Sequence, residues 1–184
     1  MNYRLVINIL GKVFVLEAAL MIPSVIVSII YGEGDLSSFL ITMAILVALG
    51  GLFMLVKPKK KKLLARDGMM VVSLAWVSLA LFGGLPFYFN GAIPSYVDCI
   101  FESISGFTTT GSSILTDVEI MPKGLLFWRS FTHWFGGMGV LVFFLALLPS
   151  MNGSTLHILR AESPGPAPGK LVPKIKETSK ILYA

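Results

Sequence analysis

The chain alternates four long apolar segments with short polar or charged breaks. The segments cover approximately residues 5–30, 36–56, 69–89 and 125–148. A helix needs about 20 mostly apolar residues to cross the hydrocarbon layer of a bilayer, so each segment is long enough to be a transmembrane helix. The pattern therefore predicts an all-α integral membrane protein with four crossings.

The first apolar segment lies close to the N-terminus, so a cleavable signal peptide is the alternative interpretation. The segment is longer than the apolar part of a typical signal peptide, and it ends at Tyr31-Gly-Glu-Gly-Asp35 without a small-x-small cleavage site. We therefore expect a transmembrane helix that is kinked at Pro23. Together with the second segment it is predicted to form an N-terminal hairpin.

The connection between the third and fourth segments is not composed like a solvated loop. Residues 93–106 begin with Pro94 and Ser95, which favour a helix start, and continue with apolar side chains at helical spacing. About twelve helical residues reach only about 18 Å, or half a membrane, and Gly106 is placed to end the helix. The pattern predicts a short re-entrant helix that protein or a water-filled cavity must surround.

A run of hydroxyl and glycine residues, Ser105-Gly-Phe-Thr-Thr-Thr-Gly-Ser-Ser113, continues from this helix. Successive carbonyl and hydroxyl oxygens from Thr108 to Gly111 can replace the hydration shell of a cation, and Gly111 can adopt the positive φ that turns neighbouring carbonyl groups toward one axis. The negative end of the helix dipole favours a cation at the same place. Such a run is usually a solvated loop, but its position after a re-entrant helix favours an ion selectivity filter.

The composition agrees with a lipid environment, because 55% of the residues are hydrophobic, 14% are charged and the mean hydropathy is +0.80. The net charge of +5 is concentrated in Lys57-Pro-Lys-Lys-Lys-Lys62, Arg66 and the residues after the fourth segment. Basic residues accumulate in cytoplasmic loops, so both regions and both termini are expected in the cytoplasm. A patch for lipid headgroups or nucleic acid is the less favoured interpretation of the lysine run, and no nucleic-acid partner is expected.

Two carboxylates, Asp98 and Glu102, lie four residues apart and share one face of the short helix. They either form an electrostatic ring that attracts cations, or one of them pairs with Arg129 or Lys123 while the other braces the filter backbone. Bracing is favoured because buried carboxylates need partners. His133 is either a titrating gate or, more commonly for such a residue, a side chain hydrogen-bonded within the helical bundle.

Three glycines of the fourth segment, Gly136, Gly137 and Gly139, permit close helix contact, which we expect to involve a neighbouring repeat. Cys99 is the only cysteine, which excludes an internal disulfide, and the two histidines lie too far apart in sequence for a local metal motif. No nucleophile, base and orienting group occur together, so the protein is not expected to be an enzyme.

Several motifs lie in register along almost the whole chain. They are Met21-Ile-Pro23, Gly84-Leu-Pro-Phe87, Phe101-Glu-Ser-Ile-Ser-Gly-Phe-Thr-Thr-Thr-Gly111, Trp134-Phe-Gly-Gly-Met-Gly139, Arg160-Ala-Glu-Ser-Pro-Gly-Pro166 and Pro173-Lys-Ile-Lys-Glu-Thr-Ser-Lys-Ile-Leu182. In this combination the chain resembles the Trk/Ktr/HKT superfamily of potassium transporters, and within it the membrane subunit of bacterial Trk potassium-uptake systems.

The resemblance implies four membrane-pore-membrane repeats around a single potassium path, preceded by two extra helices. For this chain it implies a two-helix hairpin with a basic cytoplasmic loop in residues 1–66 and the first pore repeat in residues 67–150. Residues 151–184 then form a cytoplasmic connector and the start of a missing second repeat. The chain is accordingly expected to be the N-terminal portion of such a transporter in a bacterial inner membrane.

The family's filter implies that the carbonyl groups of Thr109 and Thr110 chiefly coordinate K⁺, with Thr108, Gly111 and Ser112 as adjoining contributors. K⁺ is then the transported ion, and no organic cofactor is expected. The implied partners are membrane lipid, the remaining pore repeats, a second copy in a homodimer and a cytosolic nucleotide-binding regulatory subunit.

Three hypotheses for the function stay open at this point. The favoured one is potassium uptake, with the chain as the N-terminal portion of a Trk-type transporter. One alternative is a small cation channel that assembles from four copies, each of which supplies one filter strand. The other is a truncated fragment that does not conduct. The proline-rich residues 163–168 are expected to be a stiff linker.

Overall fold

A computed structural model describes residues 2–58 and 65–137, without the side chain of Ala65. In these ranges the chain forms seven helices: α1 (Tyr3–Leu20), α2 (Ile22–Tyr31), α3 (Leu36–Met54), α4 (Ala65–Gly83), α5 (Leu85–Asn90), α6 (Tyr96–Phe107) and α7 (Lys123–Gly137). The second half of the fourth predicted crossing with Gly139, most of the lysine run and the predicted connector 151–184 lie outside the described residues.

Three stretches of the described residues are long and apolar enough to cross a membrane: Tyr3–Tyr31, Leu36–Met54 and Arg66–Asn90. They correspond to the first three predicted crossings. The described part of the fourth is α7, which has 15 residues. The prediction of an all-helical membrane protein is therefore confirmed for the part of the chain that the structure describes.

The first crossing is interrupted at Met21, between α1 and α2. Pro23 lies in the first turn of α2, where its missing N–H costs nothing. The Met21 N–H donates to the carbonyl groups of Glu17 and Ala18, at 3.2 Å in each case. At the expected kink the structure has a one-residue break between two helices of the same crossing.

Helices α1 and α3 pack closely because two glycines face each other. A Cβ atom on Gly11 would lie 2.7 Å from the carbonyl oxygen of Gly50, and one on Gly50 would lie 2.8 Å from that of Gly11. The Asn8 side chain also donates to the carbonyl groups of Met54 and Val56, at 3.0 and 3.3 Å. These bonds satisfy backbone acceptors that the end of α3 leaves free. The predicted N-terminal hairpin is therefore a tightly packed unit.

The third crossing is not the single helix that its apolar pattern predicted. Helix α4 ends at Gly83 and α5 begins at Leu85, with Pro86 in its first turn. A Cβ atom on Gly84 would lie 2.9 Å from the carbonyl oxygen of Cys99 on α6. The predicted crossing is confirmed, and the break within it arises because proline starts a new helix where a glycine lets α6 approach the backbone.

Helix α6 is held between α4 and α7. The Trp128 side chain on α7 is buried and donates from Nε1 to the carbonyl oxygen of Gly83, at 2.9 Å. Its ring meets that of Phe107 edge to face, with centroids 6.3 Å apart. One aromatic residue therefore fixes the end of α4, the end of α6 and the middle of α7 relative to one another.

The loop between α2 and α3, residues 32–35, is acidic and joins the hairpin to the start of α7. The backbone N–H of Lys123 donates to the Glu33 carboxylate, at 2.5 Å. Asp35 is buried, accepts a hydrogen bond from Ser28, and lies so close to Gly124 that a Cβ atom there would overlap its carboxylate. Carboxylates are favourable beside the N–H groups that begin a helix, so this contact joins the hairpin to the second half of the chain.

The glycine contact between α1 and α3 generates a testable prediction. We expect Gly50→Leu to destabilise the protein by roughly 1–3 kcal/mol, because its side chain has to displace the α1 backbone. Gly51→Leu is the matched control, since a Cβ atom at Gly51 has no atom within 4 Å to clash with. Thermal unfolding in detergent measures the difference, and equal stability of the two variants would show that the crossing tolerates the extra volume.

Candidate ion-binding loop

The five residues predicted to coordinate an ion lie in the polar loop, which we define as residues 108–114. All seven of its residues are exposed, in contrast to the buried residues that end α6. Exposed polar backbone needs water, an ion or further protein to bond with. The loop therefore presents its oxygen atoms to a space that this part of the chain does not fill.

Helix α6 ends in a Schellman motif centred on Thr109. The N–H of Thr109 donates to the carbonyl oxygen of Gly106 and the N–H of Thr110 donates to that of Ser105, each at 3.0 Å. Thr109 has a φ of 56°, and it is the only non-glycine residue with positive φ in the described part of the chain. Glycine normally occupies this position, because the left-handed conformation costs other residues about 1–2 kcal/mol.

Gly111 also has positive φ, at 75°, as its predicted role requires. A Cβ atom at this position would have no atom within 4 Å, so the conformation and not the available space is what selects glycine. Positive φ thus occurs at alternate residues, 109 and 111. Regular strands and helices have negative φ throughout, so this segment is irregular backbone.

Gly106 does not end α6, contrary to the prediction from the sequence. The helix continues to Phe107, and Gly106 lies so close to α7 that a Cβ atom would overlap the Thr132 hydroxyl. A Cβ atom on Gly136 would likewise overlap the carbonyl group of Phe107. Gly136 therefore packs against the end of α6 within this chain, whereas we had expected contact with a neighbouring repeat. Small residues on both helices bring their backbones together.

Glu102 joins α7 to the polar loop. Its side chain is fully buried and pairs with Arg129 on α7, whose side chain is 16% exposed, at an Nε–Oε1 distance of 2.5 Å. The same carboxylate accepts from the Ser113 hydroxyl at 3.0 Å and from the Ile114 N–H at 3.3 Å. The favoured interpretation divided pairing and bracing between the two carboxylates, but Glu102 does both: it pairs with Arg129 and braces the loop.

Hydroxyl groups provide further bonds within the loop. Ser105 donates to the carbonyl oxygen of Ser112 at 2.5 Å, which closes the loop back onto α6. The hydroxyl oxygens of Thr108 and Thr110 lie 2.8 Å apart, and that of Thr108 donates to the Ile104 carbonyl group at 2.7 Å. The loop backbone is therefore fixed at Thr110, Ser112 and Ile114 by bonds that do not involve an ion.

The other titratable candidates are His133, which has a local hydrogen bond, and Asp98, to which the structure assigns no role. His133 Nδ1 lies 2.9 Å from the Arg129 carbonyl oxygen on its own helix, which agrees with the interpretation of a hydrogen-bonded side chain. Asp98 is only half-buried. Among residues 2–58 and 65–137, no group of three or more His, Cys, Asp or Glu side chains is placed to hold a metal ion.

Sequence reasoning missed three features of this site. The left-handed Thr109 carried no signal, because threonine is an unusual residue for that conformation. The role of Trp128 depends on a carbonyl group distant in sequence. The bond from Ser105 to Ser112 could have been predicted, because a hydroxyl residue in the last turn of a helix can bond to the loop that follows it.

Comparison with known proteins agrees with the resemblance found in the sequence. The TrkH family, described as a cation transport protein, matches residues 35–184. The Trk system potassium uptake proteins TrkH of Halomonas elongata and of Escherichia coli are each 36% identical to the chain over 186 residues, and the match covers 100% of the chain. It covers 39% and 38% of these two relatives.

A solved structure gives the same result. The fold superposes on the crystal structure of the potassium transporter TrkH from Vibrio parahaemolyticus with a TM-score of 0.79 and 34% sequence identity. The match covers 100% of this chain and 36% of that one, so the chain spans well under half the length of its relatives. The resemblance inferred from the motifs is confirmed: the chain belongs to the TrkH family of cation transport proteins.

Proposed function

We propose that the chain contributes to potassium uptake across a bacterial inner membrane, and that its polar loop is one strand of a selectivity filter. In this role the carbonyl groups of Thr109 and Thr110 chiefly coordinate dehydrated K⁺, with Thr108, Gly111 and Ser112 beside them. The relatives are named as potassium uptake proteins, and they are transporters and not enzymes. K⁺ is then the transported substrate.

The observation that carries the proposal is the left-handed backbone at Thr109. A conformation that costs a threonine free energy persists only where the surroundings fix it, and such residues concentrate at binding sites. Here the surroundings are the Schellman bonds, the bond from Ser105 and the Glu102 carboxylate. These contacts hold the backbone through the protein's own groups, which supports a preformed site for coordination by carbonyl groups.

One loop can supply only part of a coordination shell. Its exposed oxygen atoms therefore need further strands opposite them, and we propose that the remaining pore repeats of the same transporter provide these strands. The hairpin with its basic loop (residues 1–66), the first repeat (67–150) and the connector (151–184) are the proposed units. A homodimer, a cytosolic nucleotide-binding regulatory subunit and cytoplasmic termini are part of the same proposal.

A chimera tests the proposed function. The chain replaces the matching N-terminal part of the Vibrio parahaemolyticus transporter, and uptake of ⁸⁶Rb⁺ is measured in cells that lack other potassium uptake. We expect Gly111→Asp to abolish uptake, because aspartate strains the left-handed backbone and adds a charge to the loop.

Gly34→Asp is the matched control for this experiment. Gly34 also has positive φ, at 85°, and open space around its Cα atom, but it lies in the loop between α2 and α3. We expect this variant to retain most of the uptake at equal abundance in the membrane. Equal uptake by the two variants would contradict the assignment of the polar loop as the filter strand.

Replacing Thr109 is expected to change the stability and the ion selectivity in opposite directions. We expect Thr109→Gly to stabilise the protein by about 1 kcal/mol, because glycine adopts the left-handed conformation without steric cost. The greater backbone freedom is expected to lower the ratio of ⁸⁶Rb⁺ to ²²Na⁺ uptake in the chimera.

Thr116→Gly is the control in the same connection, because Thr116 is exposed and its φ is not positive. There glycine only adds flexibility, so we expect no gain in stability and no change in selectivity. Thermal unfolding in detergent measures the stability, and paired uptake assays measure the ratio of ⁸⁶Rb⁺ to ²²Na⁺ uptake. A loss of stability on Thr109→Gly would contradict the strained conformation.

A further inference from the structure

Glu17 is a buried carboxylic acid that the proposed function does not use. It lies on α1 within the first membrane crossing, and its side chain is 0% exposed. Neither of its two carboxylate oxygens has a hydrogen-bond partner among the described residues. An acidic side chain in the middle of a crossing is costly to keep, so its presence calls for a chemical explanation.

The carboxyl group lies where α1 meets α4 and α6. A Cβ atom on Gly83 would be 3.6 Å from Glu17 Oε1, 2.7 Å from the Ser103 hydroxyl on α6 and 2.8 Å from the Phe107 ring. The Gly83 carbonyl group is in turn the acceptor for Trp128. Glu17 and Ser103 thus lie at the same glycine of α4, which places Glu17 close to the helix that precedes the polar loop.

No cation neutralises Glu17 within the described residues. No Lys, Arg or His nitrogen lies within 4.0 Å of it there, since the described ion pair joins Glu102 and Arg129. Helix α3 has no titratable side chain, and α4 has none between Asp67 and its end. On α6, Tyr96 interacts electrostatically with Glu17. Neither Tyr96 nor the nearby Cys99 can carry a positive charge, so neither can neutralise the carboxylate.

The basic side chains of α1 and α7 are engaged elsewhere or are not within ion-pairing distance of Glu17. His133 on α7 contacts its own helix, and Lys123 begins α7 at the acidic loop. Lys12 on α1 is half-buried and is not within ion-pairing distance of Glu17. An ionised carboxylate in such surroundings would be uncompensated, and a buried group of this kind takes up a proton instead.

We propose that Glu17 is a proton-binding site behind α6, and that loss of its proton loosens the packing of α6 against the hairpin. The ligand is a proton, held as the neutral carboxylic acid. The inference concerns the packing of described residues, and it does not depend on whether the polar loop coordinates K⁺.

The path from this site to the loop is short. Ser103, which lies at the same glycine as Glu17, is the neighbour of Glu102 on α6. Glu102 holds Ser113 and Ile114, and Ser105 holds Ser112. A charge created at Glu17 would favour entry of water between α1 and α6, which displaces the helix that carries these bonds.

Infrared spectroscopy of the full chain in lipid bilayers tests the first part of the proposal. We expect a carbonyl stretching band of a protonated carboxylic acid at neutral pH, where exposed carboxylates are ionised. The band disappears in Glu17→Gln and persists in Glu119→Gln, which makes the same chemical change at an exposed position. Absence of the band in the unaltered chain, or its persistence in Glu17→Gln, would overturn the proposal.

Cys99 reports on the second part. It is the only cysteine of the chain, lies one turn before Ser103 on α6, and is fully buried. The rate at which a small thiol reagent modifies it therefore measures how often α6 separates from its neighbours. Comparing variants at the same pH removes the reagent's own pH dependence.

At neutral pH we expect equal modification rates in the unaltered chain and in Glu17→Gln. At alkaline pH we expect the unaltered chain to react about tenfold faster than Glu17→Gln, because only the unaltered chain can acquire the charge. Glu119→Gln is expected to follow the unaltered chain. Equal rates at every pH at which the chain stays folded would overturn the coupling to α6. Failure of Glu17→Gln to fold would also overturn the proposal, since a neutral acid has a close neutral mimic in glutamine.

Discussion

The arrangement of the polar loop depends on one buried carboxylate. Glu102 pairs with Arg129 on α7 and at the same time accepts hydrogen bonds from Ser113 and Ile114. Because Glu102 is fully buried, its charge has to be balanced by these donors. Removing Arg129 would leave the carboxylate without its cation, and removing the loop donors would leave its second oxygen without a partner. The pair therefore ties the position of α7 to the conformation of the loop.

Close backbone contacts make that tie possible. Gly106 on α6 and Gly136 on α7 let the two helices approach so closely that a Cβ atom at either position would overlap the other helix. Gly83 and Gly84 do the same where α4 meets α6. In lipid, burial of apolar surface gives little drive for helices to associate, so close packing and buried hydrogen bonds carry more of the stability. The glycines that look unfavourable for helices are thus what allows the short helix to be held on several sides.

The sequence predicted the fold well wherever one local property decided the outcome. Segment length and hydrophobicity placed the three crossings of the described residues, and Pro23 marked the break in the first one. The site was predictable in composition but not in geometry. Gly106 was predicted to end the helix because its contact with Thr132 cannot be read from the sequence. The left-handed backbone of Thr109 could not be predicted from its residue type. The break at Gly84 was missed because hydrophobicity continues through it. The contacts of Gly106 and Gly84 join residues that are far apart in the sequence.

The ratio of ⁸⁶Rb⁺ to ²²Na⁺ uptake by the chimera carrying Glu102→Gln tests most directly the claim that a braced loop selects the ion. Glutamine keeps the shape but loses the charge that holds Arg129, so the loop gains freedom and the account predicts a ratio that falls several-fold. Glu119→Gln, an exposed position in the same connection, is expected to leave the ratio unchanged. An unchanged ratio in Glu102→Gln, at equal abundance and with the variant folded, would contradict the account.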